Sequence, residues 1–528
     1  MGAPGDVIKS PTFVDEFILP LPGGVRPHRE TADELYSSFQ LRLEALNDYG
    51  AEPDRLGESE EALVEIISKM RMTKIVSPKV YQELVQLEVF ETMVGLLGNC
   101  GNDLASCILL AFEKLTYAYI YVMHDEQAAD FVDLLVKCQA VEAIVSCFFR
   151  FSEDDDVVYG ALQTIAHMIF LRPNVAEIVG KQTELINWVL EVLKTKGCDY
   201  KKQYTAGLLT TILQYTSREN ILELGKMGTV DVVVEALLPY TKSLVSKEDI
   251  LFQKELERLQ ILFGCLRYTK TRVKKEDMLD EDEEFDLVQS LFDCLFCLLS
   301  PVENKERFAD AGGVHLMLQI VKQEKLSNFY YGSAIAALDI ALKQCPSASD
   351  KFVNDALALD IAFPASRDAI SSSITHKSDE IEGHLMSLIT TLTDGSTGVK
   401  KVALLDKFEE NDYKIIGWLL DLFTRYSLQV HAAANHLKKK QLDQSELYDE
   451  KLEYGLSTLQ SIAVILAYLW LSKRSTIRAK IEELKKDVLE ILKEYRDNIG
   501  NEDESEEIAA NTVINEYIVS LEKVISVY

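Results

Sequence analysis

Proline is scarce in this chain and unevenly placed: twelve in 528 residues, five of them before Thr31 and none after Pro364. Proline interrupts helix interiors and strand ladders alike, so the stretch beyond Pro364 is open to long helices. The early cluster marks residues 1–30 as an extended arm, with Phe13, Phe17, Ile18 and Leu19 either a docking stripe or part of an irregular tail. Long apolar runs are also missing. The longest, Ile462 to Leu471, has ten residues, about half of the ~20 that cross a bilayer, and no membrane span is expected. The first thirty residues hold no apolar core of a secretory signal. Positive charge is short as well, with 55 basic against 85 acidic residues and a net charge of −30. Such a surface repels phosphate backbones, so direct nucleic-acid binding is not expected unless basic residues segregate into a patch. It suits basic protein segments as partners, and it equally serves the solubility of a large helical protein.

The motifs of common enzymes are absent: there is no GxGxxG, P-loop, GxSxG or HExxH. Carboxylates are too abundant for any acid–base pair to stand out. The reading is therefore of a protein that is not an enzyme, with no catalytic residue, no cofactor and no metal site. Cys294-Leu295-Phe296-Cys297 has CxxC spacing, but its flanks Leu291, Phe292, Leu298 and Leu299 make it the buried face of a helix, and no second CxxC accompanies it. The nine cysteines (100, 107, 138, 147, 198, 265, 294, 297, 345) lie mostly in apolar helical patterns, which fits reduced thiols in an intracellular protein. His431 and His436 are five apart, off the i,i+4 spacing of helical metal ligands. His124-Asp125-Glu126 reads as a helix end or loop, and Lys438-Lys439-Lys440 as a solvated helix end or an anion-attracting run.

What the chain does have is helical periodicity from Thr31 onward, and a segment that repeats its own logic. Glu303 to Leu318 reads as a short polar helix, a Gly312-Gly313 break, and an apolar helix opening on Val314. This is similar to the armadillo consensus for a first helix and the start of a second. Such a unit cannot bury its apolar faces alone and implies neighbours on both sides. Asn174, Asn220 and Asn304 each precede a break and an apolar helix, at spacings of 46 and 84 residues. Against the ~40–47 residue period of armadillo and HEAT units, that predicts one repeat followed by two, the second irregular. About five to seven units are expected between roughly 60 and 365. The acidic run Glu276, Asp277 and Asp280–Glu284 is expected as a loop, and Asp394-Gly395-Ser396-Thr397-Gly398 as a second one. Beyond it, Ile477, Ile481, Leu484, Val488, Ile491, Leu492 and Tyr495 form an apolar stripe, suited to packing in the chain's own core or to homodimerisation.

These features give an all-α chain: a right-handed armadillo/HEAT-like superhelical solenoid with a helical C-terminal domain. The boundaries are 1–30 for the arm, 31–85 for a helical cap, 86–365 for the solenoid, 366–400 for a connecting segment and 401–528 for the C-terminal domain. In armadillo proteins the third helix of each unit lines the concave, peptide-binding face. Here those helices are expected at Asp103–Leu115, Val157–Phe170, Tyr204–Gln214, Phe285–Leu299 and Ser333–Lys343. Glu113, Asp293 and Asp339 are the candidate partner-binding residues, since carboxylates there can meet Lys and Arg of a basic peptide.

Further segments narrow the resemblance. Leu291-Phe292-Asp293 through Phe308, Ala337-Leu338-Asp339-Ile340-Ala341, Lys351-Phe352-Val353, Phe363-Pro364, Leu404 through Asp412, Glu494-Tyr495 and Asn498-Ile499-Gly500 together resemble the beta-catenin-like family of nuclear armadillo proteins associated with the spliceosome. The resemblance implies a non-catalytic component of a Prp-nineteen-type complex that binds basic nuclear-localisation-type segments of splicing factors, among them a Myb-related core subunit. In animals it also implies contact with the antibody-diversifying cytidine deaminase. It implies a nuclear location, although the arm offers only Arg26-Pro27-His28-Arg29 where family members carry a basic import signal. An armadillo adaptor in cytoplasmic signalling or transport is the alternative. The Trp/Asn ladder of importin-alpha-type receptors is missing: the corresponding positions are Leu110 and Lys114, Gly160 and Thr164, Gly207 and Thr211, Asp293 and Cys297, Ala336 and Ile340. Basic-peptide binding then calls for another surface.

Overall fold

The computed structural model describes residues 31–49, 53–73, 78–117, 126–242, 280–322, 328–354, 358, 377–395, 398–437, 444–498 and 504–525. The N-terminal arm, His124, Asp125, Cys265 and the Lys438-Lys439-Lys440 run lie outside them. Every regular element among the described residues is a helix. They fall into two compact units. One holds the described residues as far as Leu115 together with Glu126–Gly160; the other holds Thr116, Tyr117 and everything described from Ala161 on.

In the first unit, α1 (Ala32–Tyr49) and α2 (Pro53–Arg71) pair as a hairpin. A reciprocal cap opens α1: the Thr31 amide donates to Glu34 Oε2 at 2.8 Å, and the Glu34 amide to Thr31 Oγ1 at 3.2 Å. Pro53 and Pro78 sit at first helical positions, where the missing N–H costs nothing. After α3 (Pro78–Val85), α4 (Val89–Leu96), α5 (Asn102–Thr116), α6 (Glu126–Lys137) and α7 (Ala140–Arg150) comes α8 (Asp155–Leu171), which begins in this unit. The core centres on Phe131, in edge contact with Tyr81, Phe90 and Phe112 at centroid distances of 6.2, 4.7 and 5.9 Å.

The second unit is a stack. Its helices are α9 (Val175–Gly180), α10 (Thr183–Lys194), α11 (Tyr200–Tyr215), α12 (Arg218–Lys226), α13 (Thr229–Leu237), α14 (Asp280–Leu298), α15 (Val302–Asp310), α16 (Gly313–Val321), α17 (Asn328–Leu342) and α18 (Pro346–Asn354). Then follow α19 (Lys377–Gly395), α20 (Gly398–Leu437), α21 (Gln444–Glu453), α22 (Leu456–Leu471), α23 (Ser475–Ile481), α24 (Lys485–Asp497) and α25 (Glu504–Ile525). Short first helices pack on one another in the order α9, α12, α15, α18, and long third helices in the order α11, α14, α17, α19, α22. The turn from first to second helix needs a left-handed residue, and Gly228 and Gly312 supply it with φ of 88° and 80°.

Buried polar side chains set the repeat spacing. Asn304, 0% exposed, donates from Nδ2 to the carbonyls of Ile221 at 3.3 Å and Leu298 at 2.9 Å. Its amide lies so close to Gly225 that a Cβ there would stand 1.9 Å from Oδ1. Asn220 has the same relation to Gly180 in the preceding repeat. The 84-residue spacing is therefore a single repeat with an insertion, not two repeats: α12 meets α15 and α11 meets α14 directly. Asn174 does not belong to the series, being an exposed residue ahead of α9 with no side-chain cap. Its place is taken by Glu177, which accepts from the Thr216 hydroxyl at 3.0 Å and from the Ser217 amide. The acidic run also departs from the expected loop. From Asp280 its backbone is helical as the start of α14, while Glu276 and Asp277 lie outside the described residues.

In the C-terminal part α22 is the core helix, packed by α19, α20, α24 and α25. It contains the ten-residue apolar run, almost wholly buried. Among the described residues no single helix is long and apolar enough to cross a membrane. The apolar stripe beyond it is divided over α23, a 3-10 turn and α24, and its members Ile477, Ile481, Val488 and Leu492 are at most 1% exposed. They are used inside the chain, which leaves them no part in a dimer interface.

Candidate functional site: an acidic cavity on the third-helix stack

The three expected partner-binding carboxylates have different fates. Glu113 lies on α5 in the first unit and is 1% exposed. Its Oε1 is 3.4 Å from both Lys114 Nζ and the Tyr159 hydroxyl. Burial pushes its carboxyl pKa above the ordinary range, partly opposed by Lys114. Asp293, on α14 in the second unit, is half-buried. Asp339, on α17, is 2% exposed and lines a cavity of about 580 Å³. That volume is within the ~300–1,000 Å³ of ligand pockets.

The cavity is built by four elements around α17. From α19 come Asp379, Glu380, Gly383, His384 and Ser387; from α20, Tyr426 and Gln429. The end of α21 supplies Leu452 and Glu453, and α22 supplies Ser457, Thr458 and Ser461. Lys343, one turn from Asp339, completes one side. Four carboxylates thus face a single lysine and a histidine. Close approach of α19 to α22 depends on Gly383, whose missing Cβ would meet Thr458 Oγ1 at 3.1 Å.

Asp339 is half-used. Its Oδ2 lies 2.9 Å from His384 Nδ1 and accepts from Lys343 Nζ at 3.2 Å. Its Oδ1 is buried and has no hydrogen-bond partner among the described residues. An orphaned buried acceptor costs about 1–3 kcal/mol, and more when charged, so Asp339 holds an unused hydrogen-bonding capacity at the cavity's edge. The wall behind it is fixed by Glu382, 6% exposed, which takes the Tyr426 hydroxyl at 2.9 Å and the Arg425 guanidinium on the same oxygen. Arg425 also reaches within 3.9 Å of Asp379. Burial, then the Glu382 charge, drive the Tyr426 phenol pKa far up, so it remains a neutral donor at physiological pH. Asp379, Glu380, His384, Tyr426 and Glu453 were not singled out in the sequence. They converge only through tertiary packing, as the 45-residue separation of His384 and Asp339 shows.

Elsewhere among the described residues, the CxxC thiols are held in their unreactive form. Cys294 is wholly buried against Thr210 Oγ1 at 3.1 Å, and burial drives its thiol pKa well up; that of Cys297 is pushed to about 11. Both thiols stay protonated at neutral pH. Among the described residues no group of His, Cys, Asp and Glu is placed to hold a metal ion. Of the importin-type ladder positions, Gly160, Thr164, Gly207, Thr211 and Ala336 are buried in the packing and present no peptide groove.

Three-helix units, stacked first helix on first and third on third, define an all-α armadillo-type solenoid. A similar fold occurs in an engineered protein of known crystal structure, with a TM-score of 0.51 at 13% identity over 94% of this chain and 97% of that one. The family model described as "Catenin-beta-like, Arm-motif containing nuclear" matches residues 40–279 and 253–500, and the chain belongs to that family. It is 27% identical over 497 residues to "Beta-catenin-like protein 1" of Homo sapiens, covering 88% of this chain and 80% of the human protein. To the "Beta-catenin-like protein 1 homolog" of Schizosaccharomyces pombe it is 22% identical over 490 residues, covering 88% and 77%. Armadillo solenoids of this kind are typically non-enzymatic, and the family is described as nuclear.

Proposed function

We propose that this chain is a non-catalytic protein–protein scaffold of the pre-mRNA splicing machinery. It works in the nucleus, as part of a Prp-nineteen-type complex, by binding basic nuclear-localisation-type segments of partner splicing factors. The observation that carries this reading is the acidic cavity, in which Asp339, Asp379, Glu380 and Glu453 outnumber Lys343 beside an unsatisfied carboxylate oxygen. A net charge of −30 adds long-range attraction for basic segments. The resemblance to spliceosome-associated proteins supplies the cellular setting.

The test is affinity purification of the tagged full chain from nuclear extract, beside the Glu380→Lys/Glu453→Lys variant. Both positions are exposed, so the variant reverses charge at the cavity without disturbing the core. Enrichment of Prp-nineteen-complex subunits by the parent, reduced at least about tenfold in the variant, is the expected result. Exclusive recovery of cytoplasmic signalling or transport proteins would overturn the splicing role. Equal recovery by parent and variant would remove the cavity from the interface.

A further inference from the structure

The cavity's chemistry specifies more than positive charge. We infer that it takes the guanidinium of a single arginine and discriminates against lysine; this deepens the proposed basic-segment reading and rests on it. Three observations carry the inference. The first is Asp339, a side chain only 2% exposed that lines the space of about 580 Å³ and whose Oδ1 has no hydrogen-bond partner among the described residues.

The second is that an ammonium already occupies the other side of the same carboxylate. Lys343 Nζ sits 3.2 Å from Oδ2, with His384 Nδ1 at 2.9 Å. A second ammonium brought to Oδ1 would set two compact, strongly hydrated charges around one carboxylate. A guanidinium spreads its charge over a plane, is more weakly hydrated, and gives up less on leaving water.

The third is the distribution of acceptors. Asp379, Glu380 and Glu453 stand at other points of the lining, with the hydroxyls of Ser387, Ser457, Thr458 and Ser461 between them. Five N–H donors in a fixed fork can engage Asp339 and a second carboxylate at once, whereas three donors on one nitrogen serve a single point. Arg425 shows the preference within this same wall. Its guanidinium pairs with Glu382, reaches Asp379 at 3.9 Å and lies 4.8 Å from the centroid of the Tyr426 ring.

The experiment compares fluorescein-labelled tetra-arginine and tetra-lysine peptides of equal charge, by anisotropy titration against the full chain and its Asp339→Asn variant. The expected result is about tenfold tighter binding of tetra-arginine, the size of one charge-assisted hydrogen bond, with the ratio falling toward one in Asp339→Asn. Equal binding of both peptides to the parent overturns the guanidinium assignment while leaving the basic-segment reading intact. No binding of either peptide defeats both. Since Asp339 is buried, thermal melting accompanies the titrations. If Asp339→Asn unfolds, the exposed pair Glu380→Gln/Glu453→Gln decides, because an unchanged arginine preference there also overturns the assignment.

Discussion

At the scale of single residues, burial sorts the three sequence-predicted carboxylates. All three are acids on third helices, and that much is readable because helical periodicity places the helix. Which side of the helix meets a neighbour is less readable, and it decides their chemistry. Glu113 is enclosed by its own unit, with Lys114 and Tyr159 at 3.4 Å from Oε1. Its carboxyl pKa is raised in the folded state by burial, so the folded chain holds that proton to higher pH than the unfolded chain does. Stability from this group is therefore present at acidic pH and lost as pH rises through the raised folded-state value. Glu113→Gln removes the charged form and should raise the melting temperature at neutral pH, with the gain shrinking as the solution is acidified into the ordinary carboxylate range. Melting curves across that range check the sign; a gain that grows on acidification would contradict it. Asp339 differs because its neighbours come from α19 to α22, and no local pattern around residue 339 announces them.

At the scale of helices, all five third helices were legible in place, two of them nearly to their ends, while those expected to start at Tyr204, Phe285 and Ser333 start at Tyr200, Asp280 and Asn328. An expected Asp103–Leu115 is observed as Asn102–Thr116, and an expected Val157–Phe170 as Asp155–Leu171. Repeat spacing was not, because the pattern of asparagines along the chain carries no mark of what each one touches. Asn304 docks on Gly225, one repeat away, while Asn174 is an exposed residue outside the series. That contact is testable by a double-mutant cycle. Gly225→Ala puts a methyl where Asn304 Oδ1 stands, and Asn304→Ala leaves the Ile221 and Leu298 carbonyls without their donor. Each single variant should lose about 1–3 kcal/mol in denaturant unfolding. The double variant should lose less than the sum by at least ~0.5 kcal/mol, since the methyl then fills space the amide vacated. Additive losses would mean that the two residues do not share one contact. Units in a solenoid interact chiefly with their neighbours. Gly225→Ala should therefore speed amide exchange in α12 and α15 while leaving α1 and α2 unchanged, and hydrogen-exchange mass spectrometry reads both.

At the scale of the whole molecule, the proposed basic partner would meet two electrostatic ranges. The net charge of −30 acts at a distance and is screened by salt, whose Debye length falls from ~10 Å at 0.1 M to ~3 Å at 1 M. The buried Asp339 would act only on contact, since its own side chain is 2% exposed at the cavity's edge. Steering by the first governs association, and pairing with the second governs residence. Raising salt across that range should therefore slow association of the tetra-arginine peptide by at least about tenfold and change its dissociation much less. Asp339→Asn should do the reverse, speeding dissociation with little effect on association. Stopped-flow anisotropy separates the two rates. If salt and the Asp339 substitution change the same rate constant, the cavity adds nothing beyond the diffuse acidity already visible in the composition.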